Sequence, residues 1–182
     1  NFAFPIKLLE YMETNRINTI FWVPSALSLV ANLKALPKRH VGSLQKILFC
    51  GEVMPNKQLN QWRREYPDAL YGNLYGPTEI TDVCAAYIID REFRDDEALP
   101  MGEACRNTEI FLLDENDCLV TEPDVPGELC VRGTCLAYGY YNNPEKTKAA
   151  FVQNPLNHAY PETIYRTGDL VKYNELGELV YI

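Results

Sequence analysis

The chain of 182 residues is 47% hydrophobic and carries a formal net charge of -8, with 25 acidic against 17 basic side chains. That apolar content can fill one large or two small folding units and excludes a disordered tail. The acidic balance excludes a nucleic-acid surface, which needs clustered Lys and Arg, and no run approaches the roughly 18 apolar residues of a membrane-spanning helix.

The first half alternates helical and strand periods. Ile6, Leu9 and Met12 mark a helical stripe, residues 19–23 form a β-branched and aromatic run, and residues 26–33 return to helical spacing after Pro24. The apolar strand Ile47-Leu48-Phe49-Cys50 follows, then a helix over residues 56–66 with Leu59 and Trp62 inward, then a short strand over residues 69–73. Strands this apolar are covered on both faces, so the repetition predicts an α/β fold with a helix-flanked parallel or mixed sheet.

The character changes at the charged stretch Arg91-Glu92-Phe93-Arg94-Asp95-Asp96-Glu97, taken as a connection between a first unit, residues 1–97, and a second, residues 98–182. Beyond it the strands shorten: 109–113, 118–120, 127–132, 170–173 and 179–182. Asp114-Glu115-Asn116-Asp117 and Asn174-Glu175-Leu176-Gly177 supply hairpin turns, and the expected form is a small distorted β-barrel or curled sheet. Asn143 and Pro144 read as the cap and first position of a helix. The basic neighbours Lys38-Arg39-His40 and Arg63-Arg64 read as solvated faces.

Six cysteines occur without a Cys-x-x-Cys pair, several inside apolar runs, which suits reduced, mostly buried thiols. The N-terminus has no basic region leading into an apolar run and a cleavage site, so a cytoplasmic protein is expected. Both ends read as cut: the chain stops inside the apolar pattern Leu179-Val180-Tyr181-Ile182.

Three segments carry the chemistry. Asn73-Leu74-Tyr75-Gly76-Pro77-Thr78-Glu79 follows a strand, and Gly76-Pro77 turns the chain at a carboxyl end, where open α/β sheets place ligands. A hydroxyl beside a carboxylate suits a hydrated Mg²⁺ with its phosphate; a turn closing into a helix cap is the equally open alternative. In Tyr165-Arg166-Thr167-Gly168-Asp169-Leu170, a carboxylate just after a glycine can accept two hydrogen bonds side by side, as vicinal ribose hydroxyls require. The third, from Gly127-Glu128-Leu129-Cys130-Val131-Arg132-Gly133 to Tyr138-Gly139-Tyr140-Tyr141-Asn142-Asn143-Pro144, is expected to be scaffold.

In this order the three segments resemble the adenylate-forming superfamily: acyl-CoA synthetases, luciferases and the adenylation domains of peptide synthetases. The resemblance implies that the chain is an internal fragment of a larger ATP-dependent ligase. It implies that Asn73 bonds the adenine amino group, that Tyr75 stacks on the ring, and that the backbone of Gly51, Glu52 and Val53 lies against its other face. Thr78 would contact the α-phosphate, Glu79 would help hold Mg²⁺, and Asp169 would bind the ribose with Tyr181 nearby. The bland reading of both tyrosines is ordinary core or strand packing. The substrate carboxylate would attack the α-phosphorus of ATP and release pyrophosphate. The acyl group would then pass to a thiol, either coenzyme A or the phosphopantetheine of a carrier protein. His40 and His158 are left as surface or loop residues.

Phe49-Cys50-Gly51-Glu52 is similar to the D-alanine–carrier protein ligases, where that cysteine borders the substrate's small side chain; a plain buried thiol is the alternative. Leu74, Asp82, Val83 and Phe21 match pocket-lining positions of amino-acid-activating relatives, and Asp82 weakens the D-alanine assignment because an unpaired buried carboxylate is costly. The glycine-rich Ser/Thr-Gly-Thr-x-Gly-x-Pro-Lys loop of the family does not occur in these residues, so the fragment alone is expected to be inactive. Competing readings are a fatty-acyl or aryl-acid ligase of the same superfamily and a noncatalytic binding module.

Overall fold

The computed structural model describes residues 4–182. It divides into two compact units, Asn1–Leu74 with Tyr87–Leu99 and Tyr75–Ala86 with Pro100–Ile182. The sequence predicts one division, after residue 97; the chain passes between units after Leu74, after Ala86 and after Leu99.

The first unit opens with α1 (Pro5–Thr14), β1 (Thr19–Trp22) and α2 (Pro24–Asn32), and both helices start on a proline at a first-turn position, where its missing N–H costs nothing. Then come β2 (Lys46–Phe49), α3 (Asn56–Glu65), β3 (Leu70–Tyr75) and β4 (Ala85–Ile88). β1, β2 and β3 are parallel, with Trp22 opposite Phe49 and Phe49 opposite Asn73. Their carboxyl ends therefore finish in one row. Leu9, Leu27, Ile47, Phe49, Leu59 and Trp62 form the centre of the core, none more than 1% exposed. The buried indole does not leave its donor unpaired: Nε1 of Trp62 donates to the Leu27 carbonyl at 3.0 Å.

The charged stretch 91–97, expected as a connection, is packed into this unit. Phe93 is buried, the Arg91 guanidinium lies 3.9 Å from its ring centroid, and Arg91 pairs with Glu97 at 2.6 Å. The Asn56 amide anchors it by donating to the carbonyls of Arg94 and Glu97 at 2.6 and 2.7 Å. A single aromatic within a charged run was the apolar anchor that composition concealed.

The second unit contains β5 (Glu103–Ala104), β6 (Thr108–Leu113), β7 (Leu119–Val120), β8 (Gly127–Gly133), α4 (Pro144–Ala150), β9 (Phe151–Gln153), β10 (Thr163–Tyr173) and β11 (Leu179–Tyr181). Its main sheet is antiparallel in the order β11-β10-β8-β6-β7, with β9 on β10. The expected barrel is thus an open sheet. It curls back at one end, where Pro123, just past β7, bridges Tyr173 of β10 and the Asp124 N–H donates to the Tyr173 carbonyl at 2.8 Å. Both hairpin turns form where the sequence puts them. Oδ1 of Asp114 accepts from the N–H groups of Asn116 and Cys118, and Oδ1 of Asn174 accepts from those of Leu176 and Glu178.

Candidate functional site

In the first unit the predicted residues collect at the carboxyl ends of the parallel strands, the end at which such sheets bind ligands. Phe21 is exposed near the end of β1, Cys50 is buried just after β2, and Asn73 and Leu74 are half-buried near the end of β3. Gly51 has φ +92, a conformation that an L side chain rarely adopts, and a Cβ there would meet Val23 at 3.9 Å. The Glu52 side chain is engaged at this edge. Its carboxylate accepts from the backbone N–H of Ser25 at 2.7 Å and from its hydroxyl at 3.1 Å, at the first turn of α2. The helix end supplies unpaired N–H groups and partial positive charge, so an acid is favoured there. Glu52 and the neighbouring Val53 are both exposed.

In the second unit, residues 76–83 make a closed, strained turn. A Cβ on Gly76 would lie 2.0 Å from the Asp82 carbonyl oxygen, so only glycine fits. The Cys84 N–H donates to the Tyr75 carbonyl at 2.9 Å, closing the loop. Thr78–Ile80 is one turn of tight helix, after which Thr81 and Asp82 both take positive φ, 62° and 82°. For β-branched Thr81 this is an outlier of the kind found at functional sites; its hydroxyl is tied to the Cys135 carbonyl at 2.8 Å. Thr78 and Asp82 are exposed, and Val83 is half-buried.

Tyr75, Asp169 and Tyr181 meet. The Tyr75 hydroxyl donates to Oδ2 of Asp169 and the Tyr181 hydroxyl to Oδ1 at 3.3 Å. Burial is the main cause that pushes the Tyr75 phenol well above its ordinary value, with the Asp169 hydrogen bond adding to it, so it stays a neutral donor. Asp169 does not precede a strand, as its Gly-Asp context suggested, but lies inside β10 where the register with β8 shifts between Arg166 and Leu170. The bulge turns the acid out of the ladder. Its frame is fixed by the Thr167 hydroxyl, which accepts from the Asp169 N–H at 3.0 Å and donates to the Leu129 carbonyl at 2.8 Å, and by Glu128, which accepts from the Gly168 N–H at 3.0 Å.

A second cluster surrounds half-buried Glu79. The Tyr140 hydroxyl donates to Oε1 at 2.6 Å and lies 3.5 Å from the hydroxyl of buried Tyr165. This hydrogen bond is the main cause that holds the Glu79 carboxyl below its ordinary value; Lys146 contributes in the same direction. Tyr140, Tyr165, Lys146 and Ser25 are the participants that sequence reading missed. Their hydroxyls and charge carry no periodic signal, and although Tyr140 and Tyr165 stand in segments singled out above, neither is given a role there. The Glu79 donor set suits one particular use. Among the described residues no group of three or more His, Cys, Asp or Glu could hold a metal ion. A cation at Glu79 would therefore take one ionised carboxylate here and its other oxygens from phosphate and water, the habit of Mg²⁺.

A strained tip with a glutamate bonded by a tyrosine, and an acid bracketed by tyrosines, are the polar clusters of the second unit. The profile of the AMP-binding enzyme family matches residues 1–141, and the chain belongs to that family. It is 35% identical over 177 residues to gramicidin S synthase 2 of Brevibacillus brevis, covering 97% of this chain and 4% of that protein. It is 37% identical over 177 residues to the L-proline–[L-prolyl-carrier protein] ligase of Streptomyces coelicolor (strain ATCC BAA-471 / A3(2) / M145), covering 96% of this chain and 31% of that one. The structure of holo-PA1221, a nonribosomal peptide synthetase protein containing adenylation and peptidyl carrier domains bound to a vinylsulfonamide inhibitor, superposes with a TM-score of 0.88 at 28% identity, over 98% of this chain and 30% of that one. The chain thus spans a small part of the proteins it matches.

Proposed function

We propose that this chain is part of an enzyme that uses ATP to activate an amino acid as its aminoacyl adenylate and then passes the aminoacyl group to the phosphopantetheine thiol of a carrier protein. The observation that carries the reading is Asp169, an acid at a register shift in its strand, with its own N–H and that of Gly168 held by the side chains of Thr167 and Glu128. Each carboxylate oxygen has two acceptor positions, so Asp169 can hold the tyrosines and still receive the two ribose hydroxyls.

In the reaction, a carboxylate oxygen of the amino acid forms a bond to the α-phosphorus of ATP while the bond from that phosphorus to the bridging oxygen breaks, and the electron pair leaves with pyrophosphate. No proton need move, so no protein base is required; alignment and charge stabilisation are the work. Asp169 and Tyr181 orient the ribose, the Tyr75 ring offers a face to the base, and the Thr78 hydroxyl reaches the α-phosphate. The backbone of residues 51–53 and Asn73 take the adenine. Glu79 would hold Mg²⁺, which would supply neutralisation of charge on the phosphate oxygens. By their match to positions of amino-acid-activating relatives, Phe21, Cys50, Leu74, Asp82 and Val83 are the proposed contacts of the substrate side chain. Cys50 favours a small side chain such as that of D-alanine, and exposed Asp82 a polar one. The six free thiols suit a cytoplasmic setting. No helix among the described residues is long and apolar enough to cross a membrane.

ATP–pyrophosphate exchange by the full-length protein tests this, across a panel holding both alanine enantiomers, proline, polar amino acids and several fatty acids. Exchange that depends on an amino acid is expected, with a carrier-protein relative of the proline ligase type as the precedent. Exchange driven by fatty acids alone would remove the amino-acid reading.

A further inference from the structure

We propose that Tyr140 is a positioning residue for Glu79, its hydroxyl holding Oε1 so that Oε2 is presented to a divalent cation. This rests on the reading of Glu79 as the cation-binding carboxylate. A glutamate side chain has several rotatable bonds, and a single oxygen ligand is useful only if its direction is fixed before the cation arrives. Tyr140 fixes it with an O–H···O bond of 2.6 Å to an ionised acceptor, a length typical of strong charge-assisted bonds.

Tyr140 is itself immobilised from both ends. Its N–H donates to Oγ1 of Thr147 at 2.9 Å, and that hydroxyl donates onward to the Asn143 carbonyl at 2.9 Å. The neighbouring Gly139 has φ +129, and a Cβ there would strike the Thr147 side chain at 2.3 Å, so the chain can pass this close to α4 only as glycine. Lys146 lies 3.9 Å from the Tyr140 ring centroid, and Phe151 meets the ring edge-on at 6.0 Å. Below, the Ala137 N–H donates to the Glu79 carbonyl at 2.8 Å. The loop ahead of α4 therefore grips Glu79 by backbone and by side chain at once. A tyrosine that merely filled core space would need neither its hydroxyl nor this double tether.

The test uses the full-length protein and Mn²⁺ as an electron-paramagnetic probe, titrated in the presence of a nonhydrolysable ATP analogue, so that no turnover is required. Tyr140→Phe removes one oxygen and should weaken Mn²⁺ binding about tenfold, as loss of a supporting partner commonly does, while metal-free affinity for the analogue stays as in the wild type. Thr147→Val, which leaves the phenol but loosens its backbone, should shift binding the same way by about threefold. Glu79→Gln is the reference. If it weakens Mn²⁺ at least tenfold while Tyr140→Phe and Thr147→Val leave it unchanged, the positioning role is overturned and the Glu79 reading stands. If Glu79→Gln itself binds Mn²⁺ like the wild type, the Glu79 reading fails and takes this proposal with it.

Discussion

Asp169 has a tyrosine hydroxyl on each of its oxygens, and a ribose must be received alongside them. Asp169→Asn keeps the shape but halves the acceptor capacity and removes the charge, so the apparent Kd of the full-length protein for ATP should rise about tenfold. Amino-acid affinity should not change; an unaltered nucleotide affinity, measured by calorimetry, would argue against ribose binding. Gly76 makes a different kind of claim. A methyl group there would lie 2.0 Å from the backbone oxygen of Asp82, which no side-chain rotation can relieve. Gly76→Ala should cost about 2 kcal/mol or more in denaturant unfolding, and a neutral result would mean that residues 76–83 are not the closed turn described.

Among the elements, the junction of β1, α2 and the turn after β2 is held by Glu52 on Ser25. Glu52→Gln weakens both the hydrogen bonds and the charge–helix interaction, and should lower stability by ~1 kcal/mol on thermal unfolding. The same variant should perturb adenine binding through the backbone of residues 51–53. The elements also show where sequence reading works. α1, α2, α3 and the strands between them announce themselves by period, because each buries one apolar stripe or run. The turns at Asp114 and Asn174 announce themselves by residue type. β4, β9 and the first half of β10 do not, since their residues pair in a half-exposed sheet without clean alternation. The bulge that lifts Asp169 is likewise invisible locally: it is a mismatch in register between β8 and β10, 38 residues apart at Arg166 and Glu128 where the Arg–Glu pair marks it. The resemblance names Thr78, Glu79, Asp169 and Tyr181, while Tyr140 and Tyr165, which gather at Glu79, come from a distant loop and strand and are assembled only by folding.

For the molecule as a whole, three carboxyls are held below their ordinary values by hydrogen bonds, Glu79 from Tyr140, Glu97 from Arg91 and Glu162 from Asn154. A depressed folded-state value adds stability that is present above the unfolded value, about 4.3, and is lost as pH falls through the folded one. Stability should therefore be nearly flat from about pH 8 to 5 and fall below about pH 4, with a shallower acid limb in Glu79→Gln. The thiols give a second global measure. Cys118 is exposed, whereas burial pushes the Cys130 thiol up to about 12. Under native conditions a thiol-specific reagent should modify Cys118 first and Cys130 only on unfolding; equal rates would contradict the packing of β8. The most direct examination of the central claim is a crystal structure of the full-length protein with a nonhydrolysable aminoacyl-adenylate analogue. The account predicts both ribose hydroxyls within hydrogen-bond distance of the Asp169 carboxylate. A ribose bound away from Asp169, with that acid still occupied by its two tyrosines alone, would contradict it.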